Sequence, residues 1–132
     1  MVKGLGIDSV EIERFKDWSA RPHNELKKIF SDQEIEYCLK NKQKSAERFA
    51  ARFAAKEALF KALSQILPNH NIPFLTVCKN AYVNHEKNGN PHLSMAWQNI
   101  IKTDSTKTPY QSIVSITHTK HTATAIVIVE NQ

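Results

Sequence analysis

The stretch RFAARFAAKEALFKAL, Arg48 to Leu63, places one acid, Glu57, in a surface otherwise built of alanine and phenylalanine. On a helix turning roughly 100° per residue, Phe49, Phe53 and Phe60 form one apolar stripe. Glu57 and Lys61 lie beside it, in the sector of Ala50 and Ala54. A carboxylate flanked by alanines leaves clearance for a bulky ligand. A second acid, Asp8, ends the short apolar run VKGLGID. Two carboxylates from separate elements are the usual protein share of a magnesium site that binds a phosphate ester. Each acid also has a purely structural explanation. Glu57 and Lys61, i and i+4 with the acid first, suit a helix-stabilising surface pair, and Asp8-Ser9-Val10-Glu11 suits an N-cap.

The elements that must position these residues follow from periodicity and turn chemistry. VKGLGID reads as a strand ending at Asp8, a strand-to-helix junction, because SVEIERFKDWSA carries helical spacing through Val10, Ile12, Phe15 and Trp18. NELKKIF is a helical turn, and Ser31 with Glu34 forms a capping box for a helix over SDQEIEYCLKN. After the polar NKQKS, the Glu57 helix runs to about Leu67 and stops at Pro68. FLTVCKNAYVNHE reads as β, Lys87 to Pro91 as a hairpin turn, and HLSMAW as the return strand. WQNIIKTDSTKTPYQS suggests a short helix and then an elongated loop from Asp104 to Ser112. IVSITHT and TATAIVIVE read as central strands flanking a Lys120-His121 turn. The fold class expected is α+β, with N-terminal helices packed on an antiparallel β-meander.

A chain of 132 residues fits a single domain, 1–132, able to bury a core without staples. Eighteen Lys and Arg against thirteen Asp and Glu give +5, which favours an acidic partner: a phosphorylated ligand, an acidic protein or a nucleic acid. Cys38 and Cys78 have no CxxC or Cys/His spacing, so reduced core cysteines are expected. An early aspartate and glutamate break any signal-peptide pattern, and no apolar run approaches the roughly 20 residues of a membrane span. A cytoplasmic protein is the expectation.

GLGIDSVEIERF, RFAAKEALFKAL and VSITHTKHTATAIVIVE resemble, in this order and spacing, the three signatures of the holo-acyl-carrier-protein synthases, the short bacterial type of 4′-phosphopantetheinyl transferase. The F-x-x-K-E-A-x-x-K-A pattern from Phe53 to Ala62 is the most specific, and the resemblance covers nearly the whole chain. It implies the 4′-phosphopantetheinyl transferase-like fold and a homotrimer with active sites at subunit boundaries. It also implies transfer of phosphopantetheine from coenzyme A to a serine of apo acyl carrier protein, with release of adenosine 3′,5′-bisphosphate.

Carried over residue by residue, the resemblance makes Asp8 and Glu57 the Mg²⁺ ligands and Lys61 a cation for the phosphates. The serine proton goes to Glu57, directly or through a metal-bound water, or to a metal-bound hydroxide. Larger relatives carry a third acid where this chain has Val10, a place left to water. Arg52, on the side of the helix opposite Lys61 with Arg48 and Lys56, belongs either to a solvated basic stripe or to the nucleotide in a neighbouring subunit's site. Arg48 is assigned to the solvated stripe. The resemblance sets His118 near the adenylate phosphate; alone, it reads as a hairpin-closing residue. His23, His70, His85, His92 and His121 are read as surface residues. For an acidic carrier protein the candidate surface is the first helix, with Arg14 and Arg21 as contacts and Phe15 and Trp18 as apolar anchors or simply core.

Two features depart from the family pattern. SQILPNHNIPF follows the second motif without the glycine-rich loop common in the family, and the Asp104–Ser112 loop is long. The competing readings are a small basic module for RNA or DNA and a non-catalytic binder of coenzyme A or carrier protein. Dispersed basic residues, without interleaved aromatics or an RRM, KH or helix-turn-helix pattern, argue against nucleic acid. The paired acids argue against a silent binder.

Overall fold

Strand β1 spans Val2–Glu11 and pairs antiparallel with β5, Thr122–Asn131, from Gly4 opposite Val129 to Glu11 opposite Thr122 in the computed structural model, which describes residues 1–67, 69, 71–101 and 109–132. This corrects the sequence expectation at Asp8, which sits mid-strand rather than at a helix junction. Helical spacing in Val10, Ile12, Phe15 and Trp18 is overridden by the ladder to β5 and by the Ser9–Thr124 hydroxyl pair at 2.8 Å. Two 3₁₀ turns follow, Ile12–Phe15 and Trp18–Ala20, and the cap position of the first is Glu11, so Asp8 caps nothing.

A short helix α1 (His23–Leu26) leads to α2 (Asp32–Lys40), where the capping box is complete. Ser31 Oγ accepts from Glu34 N at 3.2 Å, and Glu34 Oε1 accepts from Ser31 N at 2.8 Å. Helix α3 (Ser45–Ile66) ends where expected. Helix α4 (Phe74–Asn80) replaces the expected strand start, because Pro73 opens a helical turn and β2 begins only at Ala81. Strands β2 (Ala81–His85) and β3 (Pro91–Met95) form one hairpin, and α5 (Trp97–Ile100) is the short helix anticipated. Strand β4 (Tyr110–His118) pairs with β5, giving the order β1-β5-β4, so only β5 is central and β4 is an edge. The Thr119–Thr122 bond closes the Lys120-His121 turn as read. The Asp104–Ser112 loop ends before Tyr110; its earlier part, Pro68 and His70 lie outside the described residues.

Alternation in β1 sends Gly4, Gly6, Asp8 and Val10 to one face, toward α3. A Cβ on Gly6 would lie 1.7 Å from the Ala58 carbonyl oxygen, and one on Gly4 would lie 2.5 Å from that of Ala62. The glycines are therefore where the strand and helix backbones touch. Ala50, Ala54, Ala58 and Ala62 are fully buried in this core, so the alanines make room for packing, which corrects the reading of Ala50 and Ala54 as clearance for a ligand.

An aromatic cluster packs the other side of α3, with Phe15 and Trp18 centroids 4.5 Å apart, Phe15 and Phe53 5.4 Å, and Phe30 and Phe49 5.1 Å. Phe15 and Trp18 are core, not docking anchors. Lys56 is fully buried, which corrects its place in a solvated stripe. Its Nζ donates to Glu34 Oε1 (2.7 Å), Ile29 O (2.6 Å) and Cys78 O (3.3 Å), while Glu34 Oε2 accepts from Val83 N (3.0 Å). One buried ion pair thus ties α2, α3, α4 and β2, its charges satisfied internally as burial requires.

Gly6→Ala should lose about 3 kcal/mol of stability or fail to fold, because the obstructing atom is a helix carbonyl rather than a movable side chain. Urea unfolding checks this, and a wild-type midpoint would contradict the close contact.

Candidate active site

Asp8 reaches α3 because it is the next inward position of β1 after Gly6. Lys61 Nζ lies 3.1 Å from Asp8 Oδ1 and donates to the Ile7 carbonyl at 2.9 Å. The acid that pairs with Lys61 is therefore Asp8 from across the fold. The helix-surface explanation of Glu57 with Lys61 gives way to a three-residue cluster.

The Asp8 side chain is 15% exposed, and its Oδ2 is buried without a hydrogen-bond partner. Burial first, and then the negative charge of Asp8, push the Glu57 carboxyl above its ordinary 4.5, with Lys61 and Arg14 opposing. Two adjacent carboxylates, one with an orphaned buried oxygen and the other held too close to it, suit a hard divalent cation that prefers oxygen. Among the described residues no group of three or more His, Cys, Asp and Glu could hold a metal, so the protein would contribute these two acids. The place of a third acid is filled by buried Val10.

The structure separates Arg52 and His118 from this cluster. They line a pocket of about 290 Å³ on the opposite side of α3, with Tyr37, Lys44, Glu47 and Arg48. Arg52 is 3% exposed; its Nη1 donates to the Arg48 carbonyl at 3.3 Å, and its Nε is buried without a partner. Arg48 is half-buried, donating to the Tyr37 carbonyl at 2.8 Å, which corrects its assignment to a solvated stripe. His118 closes β4 and lies 2.8 Å from Glu47 Oε1. Burial and then the Arg52 and Arg48 charges hold the His85 pKa down.

Arg14 and Arg21 stay on the exposed surface, each over rings: Arg14 at 5.6 Å from Phe15 and 5.7 Å from Phe53, Arg21 at 4.3 Å from Trp18. Sequence reasoning passed over Tyr37, Lys44 and Glu47; the only available signal was Arg48 one turn before Arg52. A second pocket, of about 220 Å³, is walled by Phe60, Leu63, Ser64, Leu67, Asn71 and Ile72, at the end of α3 and the segment that follows it. Burial pushes the Cys38 and Cys78 thiols up to about 12, which leaves both protonated core residues.

This fold, with paired acids and a lysine where β1 meets α3, defines a class. The 4′-phosphopantetheinyl transferase superfamily model matches residues 4–126, and the chain belongs to that family. Within it the chain falls among the holo-acyl-carrier-protein synthases and is an enzyme of phosphopantetheinyl transfer. The holo-[acyl-carrier-protein] synthase of Treponema pallidum is 39% identical over 140 positions, covering 100% of this chain and 98% of the relative. The Chronobacterium ammoniagenes ACPS–CoA complex superposes with a TM-score of 0.77 at 26% identity, covering 98% of this chain and 97% of that one. The Bacillus anthracis holo-(acyl-carrier-protein) synthase in complex with CoA (3′,5′-ADP) gives 0.74 at 27%, covering 100% and 99%. No helix among the described residues is long and apolar enough to cross a membrane.

The raised pKa of Glu57 has a stability consequence with a definite sign. Its protonated form is favoured by the folded, cation-free protein, so this contribution is complete below 4.5 and is lost as pH rises through the higher folded value. Carboxyl ¹³C titration with chelator present should give a Glu57 midpoint above 4.5. Asp8→Asn should lower it partway, since burial remains. An unshifted wild-type midpoint would contradict the geometry.

Proposed function

We propose that this chain moves 4′-phosphopantetheine from coenzyme A to a serine hydroxyl of apo acyl carrier protein, releasing adenosine 3′,5′-bisphosphate, with Mg²⁺ held by Asp8 and Glu57. The observation that carries this reading is the cluster of Asp8, Glu57 and Lys61, with its unpartnered Asp8 Oδ2. A bound Mg²⁺ would supply charge neutralisation for the pyrophosphate. Lys61, 52% exposed and loosely held by one carboxylate and one carbonyl, can swing to the same phosphates as a cation. The serine oxygen attacks the β-phosphorus while the bond from that phosphorus to the leaving bisphosphate oxygen breaks. Glu57 takes the serine proton, directly or through a water beside it.

Arg52 and His118 would hold the nucleotide end. Because their pocket and the acid cluster lie on opposite sides of α3, a complete site needs the pocket of a neighbouring copy. The outer face of the β1-β5-β4 sheet supports self-association. Leu5, Ile7, Ile113 and Ile126 are exposed there, with Ile7 opposite Ile126, a contiguous apolar patch of the kind that marks an interface. We read the assembly as a homotrimer of the single domain 1–132. Arg14 and Arg21, exposed and held by ring faces, are the contacts for an acidic carrier protein. The activity would serve fatty acid biosynthesis in the cytoplasm.

Incubation with apo acyl carrier protein, coenzyme A and Mg²⁺ should add phosphopantetheine to the carrier by intact mass. Chelator should abolish the gain, and Asp8→Ala or Glu57→Ala should each cut the rate roughly a hundredfold. No gain, or indifferent variants, would overturn the mechanism. Light scattering should give about three times the 15.1 kDa chain mass; a monomer would remove the shared site.

A further inference from the structure

Tyr37, on α2, lies under two cations. The Arg48 Cζ is 4.0 Å and the Arg52 Cζ 4.3 Å from its ring centroid, and the His85 ring is 5.0 Å away. The two arginines sit one helical turn apart, a spacing at which like charges repel. Among the described residues neither has a carboxylate within ion-pair distance; the nearby Glu47 is engaged by His118. What offsets the repulsion is the electron-rich ring face, together with the Tyr37 and Arg48 carbonyls that accept from the guanidiniums. Arg52 is thus held almost fully buried with Nε unpartnered, at the wall of the 290 Å³ pocket.

We propose that Tyr37 is a positioning residue that presets the Arg48 and Arg52 guanidiniums for the phosphate-bearing nucleotide end of coenzyme A. The inference rests on the coenzyme A reading above. The ring face makes the contact with both cations, so an aromatic ring suffices at this position and the hydroxyl is dispensable. Without the ring, the two guanidiniums would separate into solvent, and the anion would have to reassemble them at a cost in affinity rather than in turnover.

Isothermal titration with adenosine 3′,5′-bisphosphate tests this in wild type, Tyr37→Phe, Tyr37→Leu and Arg52→Ala. Tyr37→Phe should bind as wild type within about twofold, and Tyr37→Leu should bind about tenfold more weakly. In the transfer assay the KM for coenzyme A should rise by the same factor with kcat nearly unchanged, a split that general loosening of α2 would not produce. Should Tyr37→Leu fail to fold, pentafluorophenylalanine in place of Tyr37 keeps the shape of phenylalanine and removes the negative ring face. It should weaken binding severalfold against Tyr37→Phe. Equal affinity in Tyr37→Leu and wild type, equal affinity for the fluorinated and plain rings, or loss in Tyr37→Phe matching that in Tyr37→Leu overturns the proposal. If wild type does not bind the bisphosphate, or Arg52→Ala binds it equally well, the nucleotide reading of the pocket falls and the role of Tyr37 falls with it.

Discussion

Everything at the site depends on how closely β1 lies against α3. No side chain separates Gly6 from the Ala58 carbonyl, and Gly4 faces Ala62 in the same way. Close packing of backbones leaves no slack for a lateral shift. The strand's pleat then decides what comes next: two residues past Gly6, the same face presents Asp8, and the helix at that height presents Glu57 and Lys61. A carboxylate that local sequence would place at a helix start is instead carried into a charged cluster by the pairing of β1 with β5.

Helix α3 divides charge between its sides. On one, two carboxylates approach each other and one oxygen lacks a donor; on the other, two guanidiniums share a tyrosine ring without a carboxylate partner among the described residues. Each side leaves one buried polar atom without a partner, Asp8 Oδ2 on the first and Arg52 Nε on the second. Under the function proposed above, each would meet part of one ligand, a cation-bound pyrophosphate at the first and a nucleotide phosphate at the second. Between them, Lys56 and Glu34 form a closed pair with all near partners supplied by the protein. That pair locks the helix to α2 and β2 and so keeps the two sides in fixed relation.

The exposed apolar face of the sheet belongs to the same logic. With α3 covering one face of β1-β5-β4, the other face keeps Leu5, Ile7, Ile113 and Ile126 in water. Covering that face with further copies of the chain would bury it, which is what the proposed assembly asks of it.

Much of this could be read along the chain. Strong helix formers and the capping box marked α2 and α3, the β-branched runs marked β4 and β5, and three collinear motifs marked Asp8, Glu57, Lys61, Arg52 and His118, because these signals are local. What the sequence could not determine was set by contacts between distant residues. Val10 through Trp18 has helical spacing but is extended or 3₁₀ because β5 and the aromatic cluster claim it. Phe74 to Asn80 has strand composition but is helical after Pro73. Arg48, Arg52 and Lys56 look like a wetted stripe until α2 and β2 cover them. The sequence by itself determined the family and most of the helices and strands, and it singled out candidate residues for the chemistry. Only the tertiary structure decided that Lys61 pairs with Asp8, that Lys56 is buried and that Tyr37 lies beneath two arginines, because a charge's partner is set by what packs against it and not by its neighbours in the chain.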